Sequence, residues 1–257
     1  MKEIVMTKII VTIGGGEIRT KGTISIDKEI ISLSKKENPK LLFIPTASTD
    51  SEGYWKHIQN YFGNQLKCKT DVLFLITQHP TNTEIKQKID SADIIYVGGG
   101  NTLKMIRLWQ HLGVDKLLWQ AYQKGTVLCG ISAGSICWYE SGHSDSMAFY
   151  NPKKWKYINV KGLGFIKGIH CPHYNSRTLG VPRRKSFQEM MQKIGGFGIA
   201  IEDNCAIEFI DGKYFKVITS KKRAGAYRVF KKDGQVVQKR IEQTQELLPI
   251  AELYTSL

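Results

Sequence analysis

The chain has 257 residues, 42% hydrophobic and 23% charged, ordinary proportions for a globular protein long enough to bury one large core. No stretch approaches the roughly 20 unbroken apolar residues of a membrane span, so no membrane partner is expected. A net charge of +14 raises a nucleic-acid reading, but the basic residues are dispersed (KK at 35, 153, 221 and 231, RRK at 183) and no recognition-helix, zinc-finger or RNP pattern accompanies them. A solvated basic surface that draws in acidic small substrates is expected instead, with no specific nucleic acid as partner.

The chain opens MKEIVMTKIIVTIGGG, a lysine followed by apolar residues. Lys8 and two threonines interrupt that run and no small-residue cleavage site follows, so it reads as the first strand (Ile9 to Ile13) of a cytoplasmic protein rather than as a leader. Further apolar, β-rich runs occupy 41–46, 71–76, 92–97 and 126–131, each nearly continuous, as strands buried on both faces are. Between them lie helical patterns. Residues 24–36 carry Ile26, Ile30, Ile31 and Leu33, and residues 52–62 carry Trp55, Ile58 and Phe62. Thr81 with Glu84 spells a capping box that opens a helix to about Ile89, and 102–123 holds two helical stretches broken at Gly113. This β-α alternation predicts an α/β fold, a doubly wound, mostly parallel sheet with helices on both faces and its ligand site at the carboxyl ends of the strands.

After residue 150 the pattern becomes strands and loops, then a helix over 181–194 and a strand over 198–201. From about residue 205 the C-terminal portion is hairpin-rich. Asp-Gly turns join alternating segments over 206–218 and again over 226–241, which predicts antiparallel hairpins at the edge or end of the sheet. No linker or low-complexity segment divides the chain, so a single domain over 1–257 is expected.

Three glycine-bearing loops end predicted strands and converge on one edge: IGGGEIR (13–19), VGGGNTL (97–103) and the turn in VLCGISAGSICW (127–138). The first two fail the dinucleotide pattern, because Arg19 and Leu103 stand where its last glycine belongs, and neither has the ending of a P-loop. IGGGEIR is read equally as a bare turn or as part of a site. In VGGGNTL the backbone N–H groups of Gly99 or Gly100 are free of side chains and suited to a developing oxyanion. The third loop, Gly130-Ile131-Ser132-Ala133-Gly134, matches the G-x-S-x-G nucleophile elbow in its required place after a strand and before a helix. The helix that follows is expected to direct its positive end at Ser132, and the N–H of Ala133 to serve as an oxyanion donor.

A serine nucleophile needs a base and an orienting acid. Of the six histidines, His57 and His111 fall within helical patterns and His79 in a loop after the third strand. His143, His170 and His173 lie downstream of the elbow, and IHCPHYN places His173 at a strand end, making it the expected base. Asp145, in the loop sequence GHSDSM, is the expected orienter. The five cysteines (Cys68, Cys129, Cys137, Cys171, Cys205) are odd in number with no C-x-x-C pair and read as reduced, buried thiols, Cys129 being a rival nucleophile within its strand. His170, Cys171 and His173 lack zinc-ligand spacing and a second cluster, so no metal or organic cofactor is expected.

YVGGGNT (96–102), GISAGSICW (130–138), GHSDSM (142–147) and CPHY (171–174) together resemble the peptidase E family of serine peptidases, the aspartyl dipeptidases, related to cyanophycinase and in fold to class I glutamine amidotransferases. The resemblance implies Ser132 as nucleophile, His173 as base, Asp145 as third member of the relay, and Gly99 or Gly100 with Ala133 as oxyanion hole. It implies hydrolysis of short peptides, dipeptides with N-terminal Asp above all, without cofactor. It also implies an arginine after the histidine that holds the substrate carboxylate. Arg183 is nearest that position, with Arg184 and Arg177 as alternatives, although the loop from His173 differs in length from the family's. The expected partner is a small peptide, and the expected assembly a monomer or small homo-oligomer. Two alternatives remain open at this point. One is an esterase of the α/β-hydrolase type, although no histidine follows His173. The other is a non-catalytic basic binding protein on the same scaffold.

Overall fold

The computed structural model describes residues 7–255. The start of the leader-like segment, residues 1–6, lies outside them. Ile9–Ile13 forms strand β1, as expected. The next elements alternate: α1 (Ile24–Leu33), β2 (Lys40–Ile44), α2 (Glu52–Ile58), β3 (Lys69–Val72), α3 (Asn82–Asp90), β4 (Ile94–Val97), α4 (Thr102–Leu112), α5 (Val114–Gln123) and β5 (Val127–Ile131). The local chemistry is what the sequence implied. Thr81 and Glu84 close a reciprocal capping box at α3, and Gly113, at φ 70°, separates α4 from α5. Two boundaries differ. After α2 the helix continues over 59–65 as a π-helix. The apolar run 71–76 leaves the sheet after Val72, because Asp50 accepts the amides of Ile76 and Thr77 while Leu73 and Leu75 remain buried.

Beyond β5 come α6 (Ala133–Ile136), β6 (Tyr139–Ser144), β7 (Ile158–Lys161), β8 (Ile166–Cys171), the short pair β9 (Arg177–Thr178) and β10 (Val181–Pro182), α7 (Arg183–Ile194) and β11 (Phe197–Ile201). Last are β12 (Cys205–Ile210), β13 (Tyr214–Thr219), β14 (Ala226–Lys232), β15 (Gln235–Arg240), β16 (Leu248–Pro249) and α8 (Ile250–Tyr254). Eight strands form the main sheet in the order β16-β13-β12-β1-β5-β4-β2-β3. Its β1-β5-β4-β2-β3 portion is parallel, and β12 and β13 run antiparallel at one side. Six more strands form a second sheet, β15-β14-β11-β8-β6-β7, in which β11-β8-β6 is parallel. The two hairpins therefore divide: β12–β13 extends the first sheet and β14–β15 the second, where the sequence suggested one sheet for both.

The parallel strands are apolar on both faces because both are covered. Val11, Ile13, Phe43, Tyr96, Cys129 and Ile131 face α1 and α2, whereas Ile10, Leu42, Ile44, Ile95 and Leu128 face α4, α5 and the α6–β6 segment. The second core runs on into the other sheet through Trp138, Tyr139, Ile199 and Ala226. Among the described residues no helix is long and apolar enough to cross a membrane.

Candidate active site

Ser132 follows β5, which lies between β1 and β4. The glycine loops after these two flanking strands are its walls. Its backbone sits at φ 58° and ψ −115°, a sparsely populated conformation for a residue with a Cβ, costing about 1–3 kcal/mol and typical of functional positions. The elbow glycines are required by each other's neighbourhood. A Cβ on Gly130 would stand 2.2 Å from the Gly134 carbonyl oxygen, and one on Gly134 would stand 2.1 Å from that of Val97. The helix behind Ser132 is a single turn: α6 has four residues, so the dipole expected to act on Ser132 adds little. Ser135, on that turn, bonds the Ser132 carbonyl and lies 2.8 Å from Nε2 of buried His170, whose Nδ1 donates to the Ile199 carbonyl at 2.9 Å. His170 thus anchors the elbow to the second sheet rather than joining Cys171 and His173 in a metal site. Cys129 is fully buried, with burial pushing its thiol well above the ordinary value, so it packs rather than reacts.

The amides of Gly100 and Ala133 donate to no acceptor among the described residues, as an oxyanion hole requires. The Gly99 backbone instead bonds the Tyr54 phenol, which burial pushes up to about 12 against that hydrogen bond. Gly100 has φ 139° and lies so close to Ala47 that a Cβ would meet its carbonyl oxygen at 2.2 Å. This loop is stitched to the segment after β6: Ser146 Oγ accepts the Leu103 amide at 3.1 Å, and Ser144 bonds Thr102 and Ser146.

His173 lies two residues past β8, at φ 130°, and with Ser132 lines a cavity of about 320 Å³. Here one expectation is corrected. His173 Nδ1 is 2.7 Å from Oδ1 of Asp203, not of Asp145. Asp203 follows β11, the parallel neighbour of β8 with Ala200 opposite Cys171, so the two side chains leave adjacent strand ends together. Burial alone would raise the Asp203 carboxyl. The hydrogen bond and charge of His173, with the Ser176 hydroxyl and the charge of Arg183, outweigh it and hold the carboxyl below its ordinary range. Asp145 cannot take this place because its carboxylate is bonded to Arg183 and, at 3.0 Å, to Thr178 Oγ1. Arg183 is correspondingly 3% exposed and also bonds the His143 carbonyl, so its charge is already neutralised. It still lines the Ser132 cavity, as do Asp145 and exposed Arg177. Arg184 turns away, pairing with Glu202 at 3.0 Å over the rings of Tyr174 and Tyr227. A larger cavity, about 560 Å³ beside Trp155, Tyr157 and α7, contains none of these paired groups.

IGGGEIR abuts the His173–Asp203 pair. A Cβ on Gly15 would lie 2.0 Å from Asp203 Oδ1 and 2.2 Å from His173 Nδ1, and Gly15 bridges Asp203 through the backbone. Gly15→Ala is therefore expected to push His173 and Asp203 apart and reduce kcat at least about 100-fold, as misplacements of about 1 Å do. A crystal structure and a peptidase assay of the variant check this.

His170 and His143 are held neutral by burial, His170 down to about 3 and His143 well below its ordinary value, the latter with help from the charge of Arg183. Their stabilising contributions are present above the unfolded imidazole value of about 6.5 and are lost as the pH falls below it. Buried Asp27, raised to about 7, acts with the opposite sign, its contribution being lost as the pH rises towards 7. Two histidines against one aspartate predict that unfolding free energy falls by on the order of 1 kcal/mol per unit from pH 6.5 to 4.5. Urea titrations at successive pH values measure this slope.

Residues 10–217 match the model of peptidase family S51. The chain is 35% identical over 234 residues to the uncharacterized peptidase YgaJ of Bacillus subtilis (strain 168), covering 91% of this chain and 96% of that one. It is 28% identical over 151 residues to peptidase E of Shewanella denitrificans, covering 58% and 60%. In fold it is similar to a peptidase from an acI-B1 actinobacterium, with a TM-score of 0.69 and 19% identity over 95% of this chain and 98% of that one. A putative peptidase E from Listeria monocytogenes EGD-e superimposes with a TM-score of 0.57 and 21% identity, over 92% and 100%. The match of residues 10–217 to the family model, with an α/β fold shared with these peptidases, places the chain in peptidase family S51, as a serine peptidase.

Proposed function

We propose that the chain is an exopeptidase of short peptides that works through an acyl-enzyme on Ser132, with His173 as base and Asp203 as orienter. The observation that carries the reading is the 2.7 Å bond between His173 and Asp203 at the mouth of a cavity that also holds the strained Ser132. His173 takes the Ser132 proton as Oγ attacks the carbonyl carbon, the oxyanion moves against the amides of Gly100 and Ala133, and the imidazolium gives the proton to the departing amine. Water then attacks the ester by the same route in reverse. Asp203 keeps Nδ1 protonated so that Nε2 is free to act. No step needs a cofactor.

The cavity combines one carboxylate, Asp145, with the guanidinium groups of Arg177 and Arg183. An N-terminal aspartyl residue, with one ammonium and one side-chain carboxylate, is complementary to that set. Asp145 would take the ammonium, and Arg177, with no carboxylate partner among the described residues, the side chain. Five unpaired, buried cysteines fit a reducing compartment, hence the cytoplasm. The chain order of nucleophile, base and acid, Ser132, His173, Asp203, departs from the nucleophile-acid-base order of the esterases with an elbow, which weakens that alternative. Incubating the protein with a dipeptide library and reading products by mass spectrometry tests the proposal. Release of N-terminal Asp from Asp-X dipeptides is expected, and absence of cleavage across the library would overturn it.

A further inference from the structure

A second cavity, about 400 Å³, opens beside the nucleophile, lined by Gly16, Glu17, Ile18, Arg19, Ser51, Gly53, Tyr54 and His57. It lies on the other face of the main sheet from Asp145. Tyr54 packs edge-on to Phe43 at 4.9 Å within the α1–α2 layer, whereas Asp145 and Arg183 lie on the side of β6 and α7. Ser132 stands at the strand edge between the two. The partition is thin. Tyr54 holds the backbone of Gly99, and a Cβ on Gly99 would be 3.3 Å from the Cβ of Ser132. On the other wall Gly16 directly follows Gly15, which abuts His173 and Asp203.

The polar groups of this cavity are unequal. The Glu17 carboxylate accepts the Arg19 amide at 3.1 Å and is turned to its own loop. Among the described residues the Arg19 guanidinium and the His57 imidazole have no hydrogen-bond or ion-pair partner, and Glu17 is the only acid in the lining. A peptide with its first residue in the Asp145 cavity and its carbonyl carbon over Ser132 must send its amine side across the strand edge towards this space. Resting on the peptidase reading, we propose that this cavity is the leaving-residue subsite, and that Arg19, with His57 beside it, receives the free α-carboxylate of the residue released. The chain is then a dipeptidase by construction: the carboxylate of a second residue reaches Arg19, and an amide in its place leaves the guanidinium without its anion.

The test compares Asp-Leu with Asp-leucinamide. The wild-type protein is expected to favour the free acid about 10- to 100-fold in kcat/KM, the range of a charge-assisted hydrogen bond, and Arg19→Gln to bring that ratio towards one. The same ratio is read without turnover from calorimetric affinities of Ser132→Ala for the two ligands, with and without Arg19→Gln. An unchanged ratio in the Arg19 variant, or equal affinities for acid and amide, would overturn the subsite. Tighter binding of the α-amide of Asp-Glu than of Asp-Leu would also overturn it, in favour of an acidic side chain. If the wild-type protein cleaves nothing, the peptidase reading fails by itself and the affinities still decide the subsite.

Discussion

Ser132→Ala is expected to reduce kcat/KM for peptide hydrolysis by about a million-fold, the scale on which removal of a serine nucleophile operates in unrelated serine proteases. The fold should survive, because alanine differs only by the hydroxyl, and that hydroxyl makes no hydrogen bond among the described residues. The backbone strain at φ 58° and ψ −115° is retained by alanine but released by glycine. Ser132→Gly is therefore expected to be equally inactive yet more stable, by about 1–3 kcal/mol. Thermal melts of the two variants beside the wild type separate the chemistry of the hydroxyl from the strain that presents it. A glycine variant that melts below the wild type would mean that the conformation at 132 is not strained.

Asp203→Asn is the second large effect. The asparagine amide can donate to Nδ1 of His173, which would leave the proton on Nε2 and the base unable to accept one from Ser132. A loss of about 10,000-fold in kcat is expected, as for the corresponding change in other serine proteases. Because the folded Asp203 carboxyl is held below its ordinary value, its support of the fold is present above the unfolded value of about 3.9 and is lost as the pH falls through the lower folded one. The variant should thus lose stability at neutral pH, and progressively less as the pH falls below about 3.9. Asp145→Asn should behave differently. It uncovers the buried Arg183 and acts on substrate binding, so KM rises more than kcat falls. The KM and kcat of both variants, measured on one dipeptide, check the assignment.

The strained turn at Ser132 was legible in the sequence because its constraints are local: two glycines two residues to either side, an apolar strand before and a turn after. The glycine loops were legible for the same reason, and the strand ends brought them together as expected. The acid bonded to His173 was not, since nothing within the sequence neighbourhood of His173 contains it. Asp203 lies 30 residues further on and arrives by the pairing of β8 with β11, a long-range register. The available signal was an acid just after the strand GIAI, next in order to the strand that carries His173, with Glu202 as a competitor. The structure separates the two: Glu202 is spent on Arg184, the Gly225 amide and Tyr227. GHSDSM drew attention to Asp145, which lines the cavity that Ser132 and His173 share, but its partner Arg183 follows a β-ribbon whose path no periodicity reveals. The division of the strands into two sheets was hidden likewise, because β6 (YESGHS) and β8 (IKGIHC) are too polar to announce themselves as parallel strands.

In the proposed mechanism His173, oriented by Asp203, activates Ser132. The most direct measurement of this is the rate at which a fluorophosphonate modifies the protein, followed by intact mass and peptide mapping in the wild type, Asp203→Asn and Asp145→Asn. A single adduct on Ser132 is expected, slowed at least about 100-fold in Asp203→Asn and within a few-fold of the wild type in Asp145→Asn. Modification at another residue, or a rate that collapses in Asp145→Asn and not in Asp203→Asn, would contradict it.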